Sequence, residues 1–429
     1  MIFRKRICFF RPSANSFGKN LTNPGFSCIL SSEDIPKAGI FVFPVPAFPN
    51  THSRRTDFTM RERNFTAISY AYIHFAVEVL CFYTVYRAFS GGNLWWAAAV
   101  LYDTLAFVPQ SIIGAFAETH PTFRPGPAGG VFLLLGAAVC TFGGTAGKII
   151  GLVLLAVGNG FVHIAGAFAT LRVSEGRLSE SAVFVGGGSF GLITGRLLFA
   201  GGASLLLPVL FMLAAVILSV LTDRMLCRIY HDDTYRFNTL PCRHAIAADR
   251  PCFAVITILA AVIAVRAYIG YFLPTSWNQT TMQTVFLSCT MGAGKMLGGI
   301  LSDRFGARRI GIVSCLAAVP VLLLSDRIMW LSLIGVALFS MTMAITLGGL
   351  VSVLPENPGT AFGITTMALL LGTVPSFFFP MPPRLFCNLL IAALSVLAAA
   401  GLRYTLKPFT YPKPHGDQNS AESEKGDQI

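Results

Sequence analysis

The sequence predicts an all-α polytopic membrane protein, with twelve membrane-spanning helices in two six-helix halves. Three observations carry this. The 429 residues are 54% hydrophobic and only 12% charged, with a mean hydropathy of +0.65. A water-soluble domain carries about 25% charged residues, and half that fraction cannot cover a globule of this size. Long unbroken apolar runs recur along the chain, where a membrane β-barrel would alternate apolar and polar residues. The longest internal polar segment, 223–250, falls after the sixth run.

Taken in chain order, residues 1–63 differ from the rest. Met1–Arg11 is basic at its start, but its apolar part is too short for a signal peptide. The apolar stretch 38–48 is interrupted by Pro44 and Pro46 and is too short to span. This segment is expected to be a poorly ordered extension, and Met60, followed by Arg61-Glu62-Arg63, is expected to be the natural start. The apolar runs are then 67–89, 94–117, 127–144, 147–170, 181–200 and 203–222 in the first half. The second half has 251–273, 281–302, 310–325, 328–350, 358–380 and 384–405. Each approaches the roughly 20 residues that a spanning helix needs. The expected organisation is a half at 64–222, a central cytoplasmic loop at 223–250, a second half at 251–405 and a polar cytoplasmic tail at 406–429.

The formal net charge of +12 reads as membrane topology and not as nucleic-acid binding. With the N-terminus inside, the internal loops carry Arg124, Arg172, Arg177, Arg224, Arg228, Arg236, Arg243, Arg250, Arg304, Arg308 and Arg309. The outer loops and their borders carry only Arg87, Lys148, Arg327 and Arg384. Basic residues accumulate on the cytoplasmic side, so both termini are expected there. The ten cysteines form no CxxC pair and no cluster of metal-ligand spacing. No G-x-x-x-x-G-K-[ST] cradle for ATP phosphates is present either.

The most informative motif is Gly299-Ile-Leu-Ser-Asp303-Arg304-Phe-Gly306-Ala-Arg308-Arg309, between the eighth and ninth runs. Gly299 permits close helix packing. Asp303 suits the positive end of a helix, and Gly306 suits a tight reversal. Arg304, Arg308 and Arg309 place the loop at the cytoplasmic surface. The motif and its position resemble the major facilitator superfamily over roughly residues 65–405. That resemblance implies two rocking halves, with Gly299, Asp303, Arg304, Gly306, Arg308 and Arg309 forming a conformational latch. The corresponding segment of the first half, Gly114-Ala-Phe-Ala-Glu118-Thr-His120-Pro121, keeps the glycine but has Glu118 for the aspartate. Its basic end is reduced to Arg124, which puts a first-half latch in question.

A narrower resemblance, to the fosmidomycin-resistance-like branch, rests on four sets of residues. These are Gly158-Asn159-Gly160-Phe161-Val162-His163, Val183–Gly188, Arg266 and Pro355-Glu356-Asn357-Pro358-Gly359 onward. It implies export of a drug or small organic anion.

Gly187, Gly191 and Gly195 recur every fourth residue in the fifth run, as do Gly294 and Gly298 in the eighth. Such rows form smooth stripes for helix contact. In the resembling fold these two helices meet across the halves. The Gly-Pro pair of the antiporter signature is absent from 181–202.

Ionisable groups inside spans are costly, at about 2.5–3.5 kcal/mol for an Arg, Lys or Asp at mid-bilayer, and they usually face a cavity or a partner. Here they are His74, Glu78, Asp103, His163, Arg196, Arg266 and Lys295. His74 and Glu78 share a helix face, as do Asn159 and His163. The resemblance places spans one, four and seven around a central cavity. Span ten completes that set in the resemblance; His74, Glu78, Asn159, His163 and Arg266 fall on the first three and, with Asp103 of span two, are the expected substrate-binding and coupling residues.

Arg266 suits an anion, Glu78 a carried proton, and His74 or His163 a relay. A neutralising Glu78–Arg266 pair was the competing structural role. Arg196 and Lys295 are expected to reach the interface, or Lys295 to pair with Asp103. No metal or cofactor is expected, and no catalysis. The expected protein is a monomeric, proton-coupled transporter of a small organic solute in a plasma membrane, or an inner membrane in a Gram-negative cell. A transport-inactive sensor on the same fold and a membrane-embedded enzyme are the alternatives.

Overall fold

The structure is a computed structural model. It describes residues 58–408, apart from 93, 94, 121, 231–245, 274, 325, 380 and 381. The expected N-terminal extension before Phe58, most of the central loop and the tail after Pro408 lie outside the described residues.

Twelve apolar helical segments follow one another. The first six are α1 (Met60–Phe89), α2 (Trp95–Thr119), α3 (Pro125–Phe142), α4 (Gly144–Val173), α5 (Ser179–Ala200) and α6 (Leu206–Tyr230). The second six are α7 (Cys252–Phe272), α8 (Thr281–Phe305), α9 (Ala307–Leu323), α10 (Met329–Val353), α11 (Pro358–Phe378) and α12 (Arg384–Thr405). Eleven are at least 18 residues long and apolar enough to cross a bilayer. The remaining one, α9, has 17 residues, which is the lower limit for a span. Large apolar side chains such as Ile112, Phe142, Ile217 and Leu385 cover the outside of the bundle, where lipid tails would meet them.

Local sequence sets the helix ends. Thr59 and Glu62 cap α1 reciprocally. The Glu62 N–H donates to Thr59 Oγ1 at 3.3 Å, and the Thr59 N–H donates to Glu62 Oε2 at 2.9 Å. This box starts the helix at Met60, so Arg61–Arg63 belong to α1 and not to the expected extension. Thr280 and Gln283 repeat the device at α8. Pro125 and Pro358 stand in the first turn of α3 and α11, where a missing N–H costs nothing. Pro109 interrupts α2 between Phe107 and Gln110, as expected of a residue that cannot donate to the helix ladder. The sixth helix continues to Tyr230, past the expected end at 222.

The glycine rows pack within each half, which corrects the expectation that they bridge the two. A side chain at Gly187, Gly191 or Gly195 would overlap the backbone of Ala71, Phe75 or Val79 in α1. One at Gly294 or Gly298 would overlap that of Ala337 or Met341 in α10. The α5–α8 contact between halves uses neighbouring glycines instead. Gly186 and Gly292 lie against Met296 and Phe190, and Gly299 lies against Leu178 and Ala182. The second contact between halves is α2 on α11, where Gly114 meets Gly359 and Gly363 meets Ser111. Thr366 Oγ1 adds a hydrogen bond to the Phe107 carbonyl at 3.3 Å.

Candidate functional site

Two carboxylates tie the halves together at one end of the bundle. Asp303, at the end of α8, accepts hydrogen bonds from the backbone N–H groups of Leu178 at 2.7 Å and Ser179 at 3.0 Å, at the start of α5. Arg177 Nε stands 3.7 Å from the same carboxylate. Gly306 ends α8 with φ +89, a left-handed conformation that favours glycine. Arg304 and Arg309 are exposed and Arg308 is half-buried; Arg304 lies against the Phe305 ring, 5.4 Å from its centroid. The sequence left the matching contact of the first half in question, and the structure contains it. Glu118 Oε1 accepts from the N–H groups of Gly359 at 2.8 Å and Thr360 at 3.2 Å, and Oε2 accepts from Asn357 Nδ2 at 3.1 Å. The extra methylene of glutamate still reaches the α11 N-terminus.

The second constellation lies inside the first half. Glu78 on α1 is buried beside His74, one turn earlier, and His163 on α4. His74 Nε2 and His163 Nε2 lie 3.7 and 3.8 Å from Glu78 Oε1, and the two rings pack edge to face with centroids 4.4 Å apart. Each imidazole is oriented through its other nitrogen. Nδ1 of His74 is 2.9 Å from the Phe184 carbonyl, and Nδ1 of His163 is 2.9 Å from the Asn159 carbonyl. A carbonyl can only accept, so both Nδ1 atoms carry hydrogen, and both Nε2 atoms face Glu78. Asn159 Nδ2 donates to Glu78 Oε1 at 3.1 Å and to the Tyr102 hydroxyl at 3.0 Å. Gly188 on α5 makes room for His74, because a side chain there would overlap the imidazole. Phe184 and, from the second half, Phe362 lie against these rings.

Cations from the second half complete the picture. Lys295 on α8 donates from Nζ to Ser189 Oγ on α5 at 2.9 Å. It does not reach for the interface or pair with Asp103, as the sequence reading had it. Its charge lies within electrostatic reach of both Glu78 and Arg266. Arg266 on α7 is 9% exposed, and both of its terminal nitrogens are buried with no hydrogen-bond partner. Among the described residues Glu78 and Arg266 form no ion pair. Glu78 lies instead beside the two histidines and Asn159, and the terminal nitrogens of Arg266 have no hydrogen-bond partner among the described residues.

The structure therefore gathers His74, Glu78, Asn159 and His163 into one network and sets Arg266 apart from it. Asp103 is half-buried and has no hydrogen bond or ion pair among the described residues. Its neighbour Tyr102 is the α2 residue that enters the network. Tyr102 and Ser189 carried no sequence signal, since a single hydroxyl in an apolar run is unremarkable. Glu118 did carry one, because it stood at the aspartate position of the motif.

Comparison with solved structures identifies the fold. The chain matches the Escherichia coli fucose:proton symporter with a TM-score of 0.54 and 13% identity, over 82% of this chain and 99% of that one. It matches the human organic anion transporter MFSD10 with a TM-score of 0.56 and 16% identity, over 80% and 100%. It also matches a bacterial homologue of the iron transporter ferroportin in an outward-facing state, with a TM-score of 0.54 and 14% identity, over 80% and 98%. No family model and no curated protein sequence matches it. The chain is a multi-pass membrane protein with the major facilitator fold, as its motif suggested.

Proposed function

We propose that this protein is a secondary active transporter that moves a small organic anion across a membrane by alternating access, with protons as the coupling ion. The observation that carries the anion is Arg266. A buried guanidinium with unpaired terminal nitrogens is a costly arrangement, by several kcal/mol per desolvated ion. An arriving carboxylate, phosphonate or phosphate would satisfy it through two parallel hydrogen bonds. Lys295 adds a second positive charge from the same half. The resemblance to the fosmidomycin-resistance-like branch extends the reading to drug-like anions.

Glu78 with His74 and His163 is the buried group suited to hold the coupling cation, and Asp303 and Glu118 are the contacts that break when the halves rock. Two of the similar structures are a proton symporter and an organic anion transporter by their titles, which supports the same reading. The excess of arginines in the loops between spans supports a cytoplasmic position for both termini, and the reading sets the protein in a plasma membrane.

The test is transport by the purified protein in proteoliposomes, against a panel of labelled organic anions, with and without an imposed pH gradient. Uptake of at least one anion above empty liposomes is expected, with the gradient changing its rate and Arg266→Ala abolishing it. Uptake that ignores the gradient removes proton coupling. Wild-type uptake by the Arg266→Ala protein removes the anion anchor.

A further inference from the structure

We propose that His74, Glu78 and His163 form a binding site for a divalent transition-metal ion, zinc being the reference case. This goes beyond the transport reading and stands on the geometry of the three side chains alone. Their ligand atoms all lie within 4.8 Å of one another. The two Nε2 atoms are 3.7 and 3.8 Å from Glu78 Oε1, too long for hydrogen bonds. A tetrahedral zinc ion with bonds of about 2.1 Å holds its ligand atoms about 3.4 Å apart. The two nitrogen–oxygen distances exceed this by a few tenths of an ångström, and side-chain rotation of His74 and His163 would draw the set, now within 4.8 Å, onto an ion.

The surroundings match what metal ligands require. A ligating imidazole usually donates its second N–H to a carbonyl or carboxylate, which fixes the tautomer that presents the lone pair. Both histidines here do so, to the Phe184 and Asn159 carbonyls at 2.9 Å. The ligating carboxylate is itself held, by Asn159 Nδ2 at 3.1 Å, and Asn159 is tied in turn to Tyr102. Two nitrogens and one oxygen suit borderline ions such as Zn²⁺, Co²⁺ or Fe²⁺ rather than Mg²⁺ or Ca²⁺, which prefer oxygen alone.

Three protein ligands leave one tetrahedral position open. With Lys295 within electrostatic reach of Glu78, an anion is the favoured fourth ligand. The three ligands stand in no local motif: His74 and Glu78 come from one helix and His163 from another, 85 positions beyond Glu78. The same three residues are those a membrane-embedded enzyme would use, the alternative in which a metal was weighed.

The experiment uses full-length protein purified in detergent without a polyhistidine tag. Cobalt chloride is titrated in while the visible d–d absorption is recorded. Zinc chloride is titrated calorimetrically and in thermal-unfolding runs. The expected result is one equivalent of Co²⁺ giving the intense bands of a tetrahedral site, displaced by Zn²⁺. Zinc should also raise the melting temperature. His163→Gln and Glu78→Gln should each weaken zinc binding at least tenfold, while magnesium should have no effect on the wild type.

A wild-type spectrum showing only the weak octahedral bands of hydrated cobalt overturns the proposal. So does zinc affinity equal to that of the wild type in a folded protein carrying both His163→Gln and Glu78→Gln. The wild-type spectrum does not depend on any variant folding. Because it needs no transport, loss of the metal site leaves the Arg266 anion reading untouched, and a protein that binds zinc but moves no anion sinks the transport reading alone.

Discussion

Glu118 and Asp303 make the same contact in opposite directions. Each carboxylate leaves the end of a helix in its own half and receives two backbone N–H groups at the start of a helix in the other, Glu118 from Gly359 and Thr360, Asp303 from Leu178 and Ser179. A helix N-terminus carries about half a positive charge, and a carboxylate there contributes up to ~2 kcal/mol in a partly buried setting. The seam between the halves at that end of the bundle is therefore held by two charge–dipole contacts.

Neutralising either carboxylate should weaken that seam. Asp303→Asn and Glu118→Gln keep the shape and remove the charge, and each should shift the equilibrium between conformers by about 1–2 kcal/mol, or roughly 5- to 30-fold. Cysteine-accessibility labelling of residues lining the α5–α8 seam would read this as faster modification. Labelling rates unchanged in the double variant would refute the role.

Arg266 should be stabilising to lose and indispensable to keep. Desolvating an ion costs several kcal/mol, so an apolar residue of similar volume in place of an unpaired one should be neutral or stabilising. Arg266→Met should melt at or above the wild-type temperature in detergent while losing anion uptake. A markedly lower melting temperature would mean that the guanidinium has a structural partner.

Asn159 is the central strut of the Glu78 network. Asn159→Leu removes the donor to both Glu78 and Tyr102 and leaves a carboxylate and a hydroxyl short of a partner, at about 1–3 kcal/mol. Tyr102→Phe leaves the Asn159–Glu78 bond in place and should cost about 1 kcal/mol. Thermal unfolding followed by tryptophan fluorescence should rank them in that order, and equal melting points would break the argument.

Gly188 should separate site geometry from fold stability. Its Cα faces the His74 imidazole so closely that an added methyl must push the ring aside. Gly188→Ala is expected to fold and to impair whatever the His74–Glu78–His163 group binds. Gly187→Val strikes the Ala71 backbone of α1 instead, which cannot yield as a ring can. It should destabilise the protein by about 1–3 kcal/mol through overpacking. Comparing melting temperature with ligand affinity for the two variants tests the distinction.

Composition and the length of the apolar runs determined, without coordinates, that this chain crosses a membrane about twelve times in two halves. They could do so because the bilayer thickness sets helix length, and hydrocarbon excludes charge along any unbroken span. The same logic singled out His74, Glu78, His163 and Arg266, since an ionisable residue at that depth needs a reason.

What each of them faces was decided only by tertiary structure. Periodicity puts His74 and Glu78 on one face of α1 but is silent on which helix lies opposite. Only packing brings His163 to Glu78, chooses Tyr102 over Asp103, seats Lys295 on Ser189 and leaves Arg266 alone. Likewise the glycine rows announced close contact, but whether their partner was α1 or the other half depended on how α5 is rotated about its own axis, which no spacing along the chain encodes.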